Sequence, residues 1–260
     1  MVGSYDTVSV IIPTYNRLGL LIRAVDSVLA QTYPPMEILI CDDGSADGTD
    51  KFVLEHTDPR VKWVEAEFHS GWPGVPRNRG IRQAKGEWLA FMDDDDTWHP
   101  TKLSRQMTSL KDGKYLASST EAWRFISGKP DPVLLVNSNS EYFDLKALAC
   151  CNFVVCSSAV VSKKIIDKVG FFPEDKLCED YALWLGVCCF TSFVYINDPL
   201  VSYRDAPEVS VRQKSKPEAQ QQLAVFEQFK AWLLSERPPN VDDALSIAND
   251  RIDWWRGQIE

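Results

Sequence analysis

The chain has no apolar run long enough to cross a membrane. Its longest apolar region, residues 183–196, falls short of the roughly 20 residues a span requires and is broken by Thr191 and Ser192. The first seven residues carry neither a basic n-region nor an apolar h-region, so no signal peptide is read there. Basic charge is also scarce: 28 Lys and Arg against 37 Asp and Glu leave a net charge of −9. That excludes a general nucleic-acid surface and leaves any phosphate handling to a metal and a few arginines. No C-x-x-C occurs among the seven cysteines, Cys41, Cys150, Cys151, Cys156, Cys178, Cys188 and Cys189. An odd count in apolar settings reads as reduced core thiols, not as a zinc site or a disulfide framework. Internal repeats and low-complexity tracts are missing too. What is left is a soluble, cytoplasmic protein of 260 residues with ordinary globular composition, 45% hydrophobic and 25% charged. That length buries a sizeable core and suits one large α/β domain with an appendage.

The first half of the chain alternates regularly. Val8-Ser9-Val10-Ile11-Ile12 is a β-branched run suited to a buried strand. Apolar residues Leu18, Leu21, Ile22, Val25, Val28 and Leu29 then recur three and four apart, one face of a helix. A second strand over residues 36–41 completes a βαβ unit, hence parallel pairing and a right-handed crossover. A short helix, a third strand over residues 60–65, and a Gly/Pro-rich loop precede a helix carrying Arg77-Asn78-Arg79-Gly80. The second half is less regular. Strands are expected over residues 114–119, 133–136 and 193–196, with Tyr203-Arg204 in a loop. Helices are expected at 144–150, 162–170 and from Glu179, and the chain turns helical again from Pro217.

One stretch organises these elements. A buried strand, Glu87-Trp88-Leu89-Ala90-Phe91-Met92, runs straight into Asp93-Asp94-Asp95-Asp96. Burying adjacent carboxylates costs several kcal/mol each unless a cation sits among them. Hard Mg²⁺ or Mn²⁺ favours carboxylate and phosphate oxygens. Ligand sites of open α/β sheets lie beyond the carboxyl ends of strands, where this run falls. The competing reading is a solvated acidic turn ahead of the next helix, with Asp96 capping the helix that starts near Pro100.

Taken in order, Val10-Ile11-Ile12-Pro13-Thr14-Tyr15-Asn16-Arg17, Asp42-Asp43-Gly44-Ser45, Arg77-Asn78-Arg79-Gly80, the aspartate run and Glu179-Asp180 resemble the family 2 inverting glycosyltransferases. The resemblance covers about residues 7–205. It implies the α/β fold called GT-A, a Rossmann-like, mostly parallel sheet flanked by helices. Residues 1–212 would form the catalytic domain, with residues 7–110 holding the nucleotide sugar and 111–212 the acceptor. Residues 213–260 would form a helical extension. The family's pattern places Pro13, Thr14, Tyr15 and Asn16 along the nucleotide, with Tyr15 offering an aromatic face. Asp43 would accept from the uracil ring N–H, which favours a UDP-linked donor; its alternative is a turn-forming Asp before Gly44. Arg77 would meet the nucleotide, or else lie on the surface. Asp95 would ligate Mn²⁺ or Mg²⁺, Asp94 would bind ribose or sugar, and Asp93 would ligate or orient its neighbours. Asp180 would be the general base, with Glu179 in support. Arg204 would approach the diphosphate. Family members often carry a histidine shortly after that arginine; here the sequence is Asp205-Ala206-Pro207, and Arg212 is the candidate substitute.

The implied reaction moves a sugar from a nucleotide diphosphate to a hydroxyl of a glycan or lipid-linked glycan, with Trp72, Trp123 and Phe143 as candidate stacking surfaces for the acceptor, core packing being the default for each. A binding module without turnover is one alternative. A sugar-phosphate nucleotidyltransferase is another, but it would want a Gly-rich basic loop where Pro13-Thr14-Tyr15-Asn16 stands. The stripe Leu223, Phe226, Phe229, Trp232 and Leu233, with Trp254-Trp255, has three candidate docking partners. These are the catalytic domain, a second subunit in a homo-oligomer, and the inner face of a membrane bearing the acceptor. Packing on the catalytic domain is the default.

Overall fold

The computed structural model describes residues 6–66, 68–129, 131–174, 178–206 and 218–259. Strand β1 (Val8–Thr14), helix α1 (Leu18–Leu29) and strand β2 (Glu37–Asp42) form the expected βαβ unit. Helix α2 (Thr49–Leu54), strand β3 (Val61–Val64), helix α3 (Gly74–Gln83) and strand β4 (Trp88–Phe91) follow. A two-residue strand, β5 (Thr97–Trp98), then leads into helix α4 (Lys102–Leu110). The second half comprises β6 (Ala117–Ile126), β7 (Val133–Leu134), β8 (Tyr142–Phe143), α5 (Leu145–Cys150), β9 (Val160–Ser162), α6 (Lys163–Val169), α7 (Glu179–Cys188) and β10 (Phe193–Asp205). Helices α8 (Glu218–Glu236) and α9 (Val241–Arg256) end it.

Among the described residues ten strands join one sheet in the order β3-β2-β1-β4-β9-β6-β10-β5, with β7 on β6 and β8 on β10. Strands β1 to β4 are mutually parallel, so their carboxyl ends share one edge. Strand β9 runs antiparallel to both β4 and β6. That double reversal returns β6, and its parallel partner β10, to the direction of β4. The sheet is therefore parallel in its first half and mixed in its second. Strand β10 is also far longer than the expected strand at 193–196. Tyr203 and Arg204 belong to it, paired with Arg124 and Phe125 of β6, and do not lie in a loop.

Side-chain alternation divides the core between the two faces. Val10, Ile12, Ile38 and Ile40 point toward α1 and α4, where Leu21, Val25, Leu103 and Met107 meet them. Ile11, Leu39, Cys41 and Phe91 point the other way, toward α3, α6 and α7 and, farther on, α8 and α9. The stripe on α8 is buried at Phe226, Phe229 and Leu233, and the Trp232 indole N–H donates to the Val169 carbonyl at 2.9 Å. The C-terminal helices thus pack against α5, α6 and α7 of the same chain; the expected boundary at 212/213 lies outside the described residues. Among the described residues no helix is long and apolar enough to cross a membrane. All seven cysteines are free thiols, but Cys150 and Cys151, at the end of α5, are exposed and not in the core.

Helix α3 lies unusually close to the sheet because of Gly80. A Cβ there would fall 2.5 Å from Cys41 Sγ and 2.9 Å from Ile11 Cγ2. Overpacking of this kind costs about 1–3 kcal/mol. Gly80→Val is accordingly expected to lower the urea midpoint of unfolding by that much stability. An unchanged midpoint would show that α3 can lift away freely.

Candidate active site

The shared carboxyl edge of β1, β2 and β4 gathers the charged residues. Beyond β4 the chain buries Asp94 and Asp96 and half-buries Asp93 and Asp95. This is no solvated turn. The Thr14 hydroxyl donates to Asp94 Oδ2 at 2.8 Å, tying the end of β1 to the aspartate run. Arg17 Nη1 lies 3.3 Å from Asp94 Oδ1 and 3.1 Å from Asp95 Oδ2. Burial pushes the Asp94 carboxyl up to about 7, aided by Asp95 and opposed by Arg17. Burial and the charge on Asp93 raise Asp95 as well.

Asp96 departs from its expected role. It does not cap α4, whose N-cap Thr101 makes no side-chain cap bond. Instead its Oδ1 accepts the Arg204 backbone N–H at 2.9 Å, locking β10 to the aspartate run. Burial, with Asp93 and Asp95 alongside, pushes Asp96 far above the carboxylate range. Arg204 is thereby fixed at the edge, and its charge is felt at Asp95. His99 is exposed, its Nδ1 3.0 Å from Thr101 Oγ1, and takes no part. Arg212 lies outside the described residues.

The four residues of the Arg77 motif do four different jobs. Arg77 is not a surface residue; it is 4% exposed. Its Nη1 donates to Glu179 Oε1 and its Nη2 to Asp93 Oδ1, each at 2.5 Å. Asn78 clamps the chain near Phe172: its Nδ2 donates to the Phe172 carbonyl at 2.8 Å and its Oδ1 accepts the Phe172 N–H at 3.0 Å. Arg79 Nη2 donates to the Asp42 carbonyl and, at 3.2 Å, to Asp43 Oδ1. Gly80 provides the close approach to the sheet.

Glu179 and Asp180 open α7 behind Cys178, which takes a left-handed conformation at φ 60°. That turn brings both acids to the edge in the first helical turn, where the helix dipole favours negative charge. Through Arg77, Glu179 is linked to Asp93 across 86 residues of sequence. Burial pushes the Asp180 carboxyl up to about 7; the adjacent Glu179 charge adds to this and Arg77 opposes it.

The turn after β2 decides against the turn-forming alternative for Asp43. Asp42 is the turn former: its carboxylate accepts the Gly44 N–H at 2.9 Å and the Ser45 N–H at 2.9 Å. Asp43 instead gathers the segment 69–71, accepting from the Ser70 N–H, the Gly71 N–H and the Ser70 hydroxyl. Asn16 is exposed and braces this turn, its Oδ1 accepting the Ala46 N–H at 2.7 Å. Pro13 is buried within β1. Tyr15 is 40% exposed at the rim.

Of the candidate acceptor surfaces, Phe143 takes the default and is a core residue, not an acceptor surface. It is 1% exposed and packs on Phe153 and Tyr195. Trp123 is exposed on β6, and Trp72 is half-buried. Four contributors were not anticipated. Arg17 and Arg79 both stood inside quoted motifs, where a basic residue beside several acids was the available signal. His69, and Ser157, whose hydroxyl accepts the Asp93 N–H at 3.0 Å, carry no local signal.

Asp95 lies half-buried at the edge, its Oδ2 3.1 Å from Arg17 Nη1, with half-buried Asp93 alongside; such carboxylate oxygens suit a hard divalent ion that also takes substrate phosphates. Among the described residues no group of three or more His, Cys, Asp or Glu side chains forms a metal cage.

Residues 9–170 match the family described as Glycosyl transferase family 2. Two Escherichia coli proteins are similar over most of their length. The UDP-Glc:alpha-D-GlcNAc-diphosphoundecaprenol beta-1,3-glucosyltransferase WfaP is 33% identical over 183 residues, 70% of each chain. Its counterpart WfgD is 32% identical over 199 residues, 73% of each chain. Among solved structures, S. aureus TarS 1–349 in complex with UDP-GlcNAc superposes with a TM-score of 0.76 at 20% identity, covering 94% of this chain and 72% of that one. At that identity the likeness establishes the fold. With its motifs assembled at one sheet edge and most of its length matched, the chain belongs to glycosyl transferase family 2 and is a glycosyltransferase.

Proposed function

We propose that this enzyme transfers a sugar, with inversion, from a UDP-sugar to a hydroxyl of a lipid-linked glycan at the inner face of a membrane. The observation that carries the reading is the buried Asp93–Arg77–Glu179 bridge. It joins the acids beyond β4 to the acids opening α7 at one sheet edge. An inverting displacement needs both groups at one site, one set of acids serving the leaving group and the other supplying the base. The E. coli relatives are named for a UDP-glucose donor and a diphosphoundecaprenol-linked acceptor, which supports both halves of the assignment.

Each side chain then has a defined task. Tyr15 and Asp43 receive the base, with Pro13 and Asn16 setting the backbone between them. Thr14 fixes Asp94 for the ribose or sugar. A bound Mn²⁺ or Mg²⁺, held by Asp95 with diphosphate oxygens and water, would supply Lewis-acid stabilisation of the leaving diphosphate. Asp93 gives one oxygen to Arg77 and orients the run. Arg17 and Arg204 add positive charge beside the diphosphate. Asp180 accepts the acceptor's hydroxyl proton as its oxygen bonds the anomeric carbon and the bond to the diphosphate breaks. No residue becomes covalently bound.

Calorimetric titration with UDP, with and without Mn²⁺, tests the donor assignment. Wild type is expected to bind UDP in a metal-dependent manner, and Asp95→Asn to lose the metal-dependent part. Absence of UDP binding in both conditions would sink the uridine assignment and send the search to GDP- and dTDP-linked donors.

A further inference from the structure

His69 stands where the proposed function needs the nucleotide base. Its imidazole stacks on Tyr15 with ring centroids 3.8 Å apart and an interplanar angle of 19°. Its Nδ1 lies 2.9 Å from the Asp43 carbonyl oxygen and 3.0 Å from Asp43 Oδ2. Two oxygen acceptors facing one ring nitrogen require that nitrogen to carry the proton. The ring therefore presents a flat face to Tyr15 and an N–H to Asp43. A uracil ring offers the same pair of features, a flat face and the N3–H.

We propose that the His69 imidazole is a built-in occupant of the base slot, displaced by the nucleotide on binding. The inference rests on the assignment of Tyr15 and Asp43 to a uridine base. At 3.8 Å the two rings are already in contact, so a third ring cannot enter between them unless their separation roughly doubles. The base and the imidazole therefore exclude one another. Displacement is physically accessible because the His69 side chain is already 45% exposed. The neighbouring contacts need not break with it. The Ser70 and Gly71 N–H groups hold Asp43 Oδ2 through the backbone, each at 3.0 Å. The slot thus stays organised while its occupant changes, and Asp43 exchanges one N–H donor for another. What His69 sets is a tax on affinity: the nucleotide sees only the fraction of molecules whose slot is open.

His69→Ala removes the occupant and leaves the acceptor and the Tyr15 face in place. UDP titrated into the variant is expected to bind roughly 3–10-fold more tightly than to wild type, since a stacked, hydrogen-bonded pair no longer competes. In ¹³C-labelled wild type, the His69 ring protons are expected to carry an upfield ring-current shift from Tyr15. Tyr15→Leu should remove that shift without nucleotide, and UDP should remove it in wild type. Unchanged UDP affinity in His69→Ala overturns the proposal while leaving the uridine assignment intact. Weaker binding also overturns it, by showing that His69 clamps the outer face of the bound base. Failure of both wild type and variant to bind UDP removes the uridine assignment and this inference with it.

Discussion

Asp180→Asn is expected to reduce kcat by about 10²–10⁴-fold, the range general-base catalysis contributes. The variant should still bind UDP with unchanged affinity. The amide keeps the size of the carboxylate and its place in the first turn of α7, but it cannot take a proton from the acceptor hydroxyl. Because the loss falls on a group used only when the acceptor reacts, kcat and kcat/KM for the acceptor should fall together. Comparable turnover by Asp180→Asn would dismiss Asp180 as base and move attention to Glu179.

The same residue predicts a pH profile. Burial, reinforced by Glu179, pushes the Asp180 carboxyl up to about 7. A general base works only when deprotonated, so kcat/KM should rise with pH through that region and level off above it. The neighbouring charge gives the sign of a second test. Glu179→Gln removes a negative charge that favours the protonated form of Asp180, so the acidic limb should move to lower pH. A limb that moves up, or one that persists unchanged in Asp180→Asn, would assign the titration to another group.

How much of this was legible in the sequence depends on the range of the interactions involved. The βαβ half was readable because each element advertises itself locally. Val8 to Ile12 is a β-branched run, and α1 repeats its apolar residues every three or four positions. The gathering of acids at the strand ends was readable because they stand directly after apolar strands. Strand β10 was truncated in the reading because Asn197-Asp198-Pro199 interrupts its pattern; the structure absorbs them through register shifts against β6. Strands β5, β7 and β8 are two residues long, too short to show a period. Partnerships at the site were beyond local reading altogether. Asp96 reads as a helix cap until Arg204, 108 residues away, supplies the N–H that it accepts. Asp42 and Asp43 are adjacent, yet one closes its own turn while the other reaches residues 69–71. Only the fold decides which does which.

Arg77→Met is expected to cost about 3–5 kcal/mol of stability, the usual penalty for removing one partner of a buried ion pair. For a chain of this size that lowers Tm by roughly 6–20 °C. The loss comes less from the missing hydrogen bonds than from what they leave behind. Glu179 is buried, and Asp93 is 28% exposed at its side chain, so two carboxylates would face each other with no cation between them. The exposure of Asp93 places the expected value toward the lower end of the range, since water reaches that side. Arg77→Lys should rescue little, because one ammonium cannot match a planar fork that reaches two carboxylates at once. The proposed cause also predicts non-additivity. Adding Glu179→Gln to Arg77→Met removes one of the stranded charges, so the double variant should be more stable than Arg77→Met alone. If the double variant is instead less stable by the sum of the two single losses, Arg77 contributes through packing against Phe172, which it approaches at 5.4 Å, and not through the acids. Transfer activity should vanish in Arg77→Met at temperatures where the protein is still folded. The bridge joins the acids beyond β4 to those of α7, so on the proposed function a fold that survives without it should lose the arrangement the transfer needs.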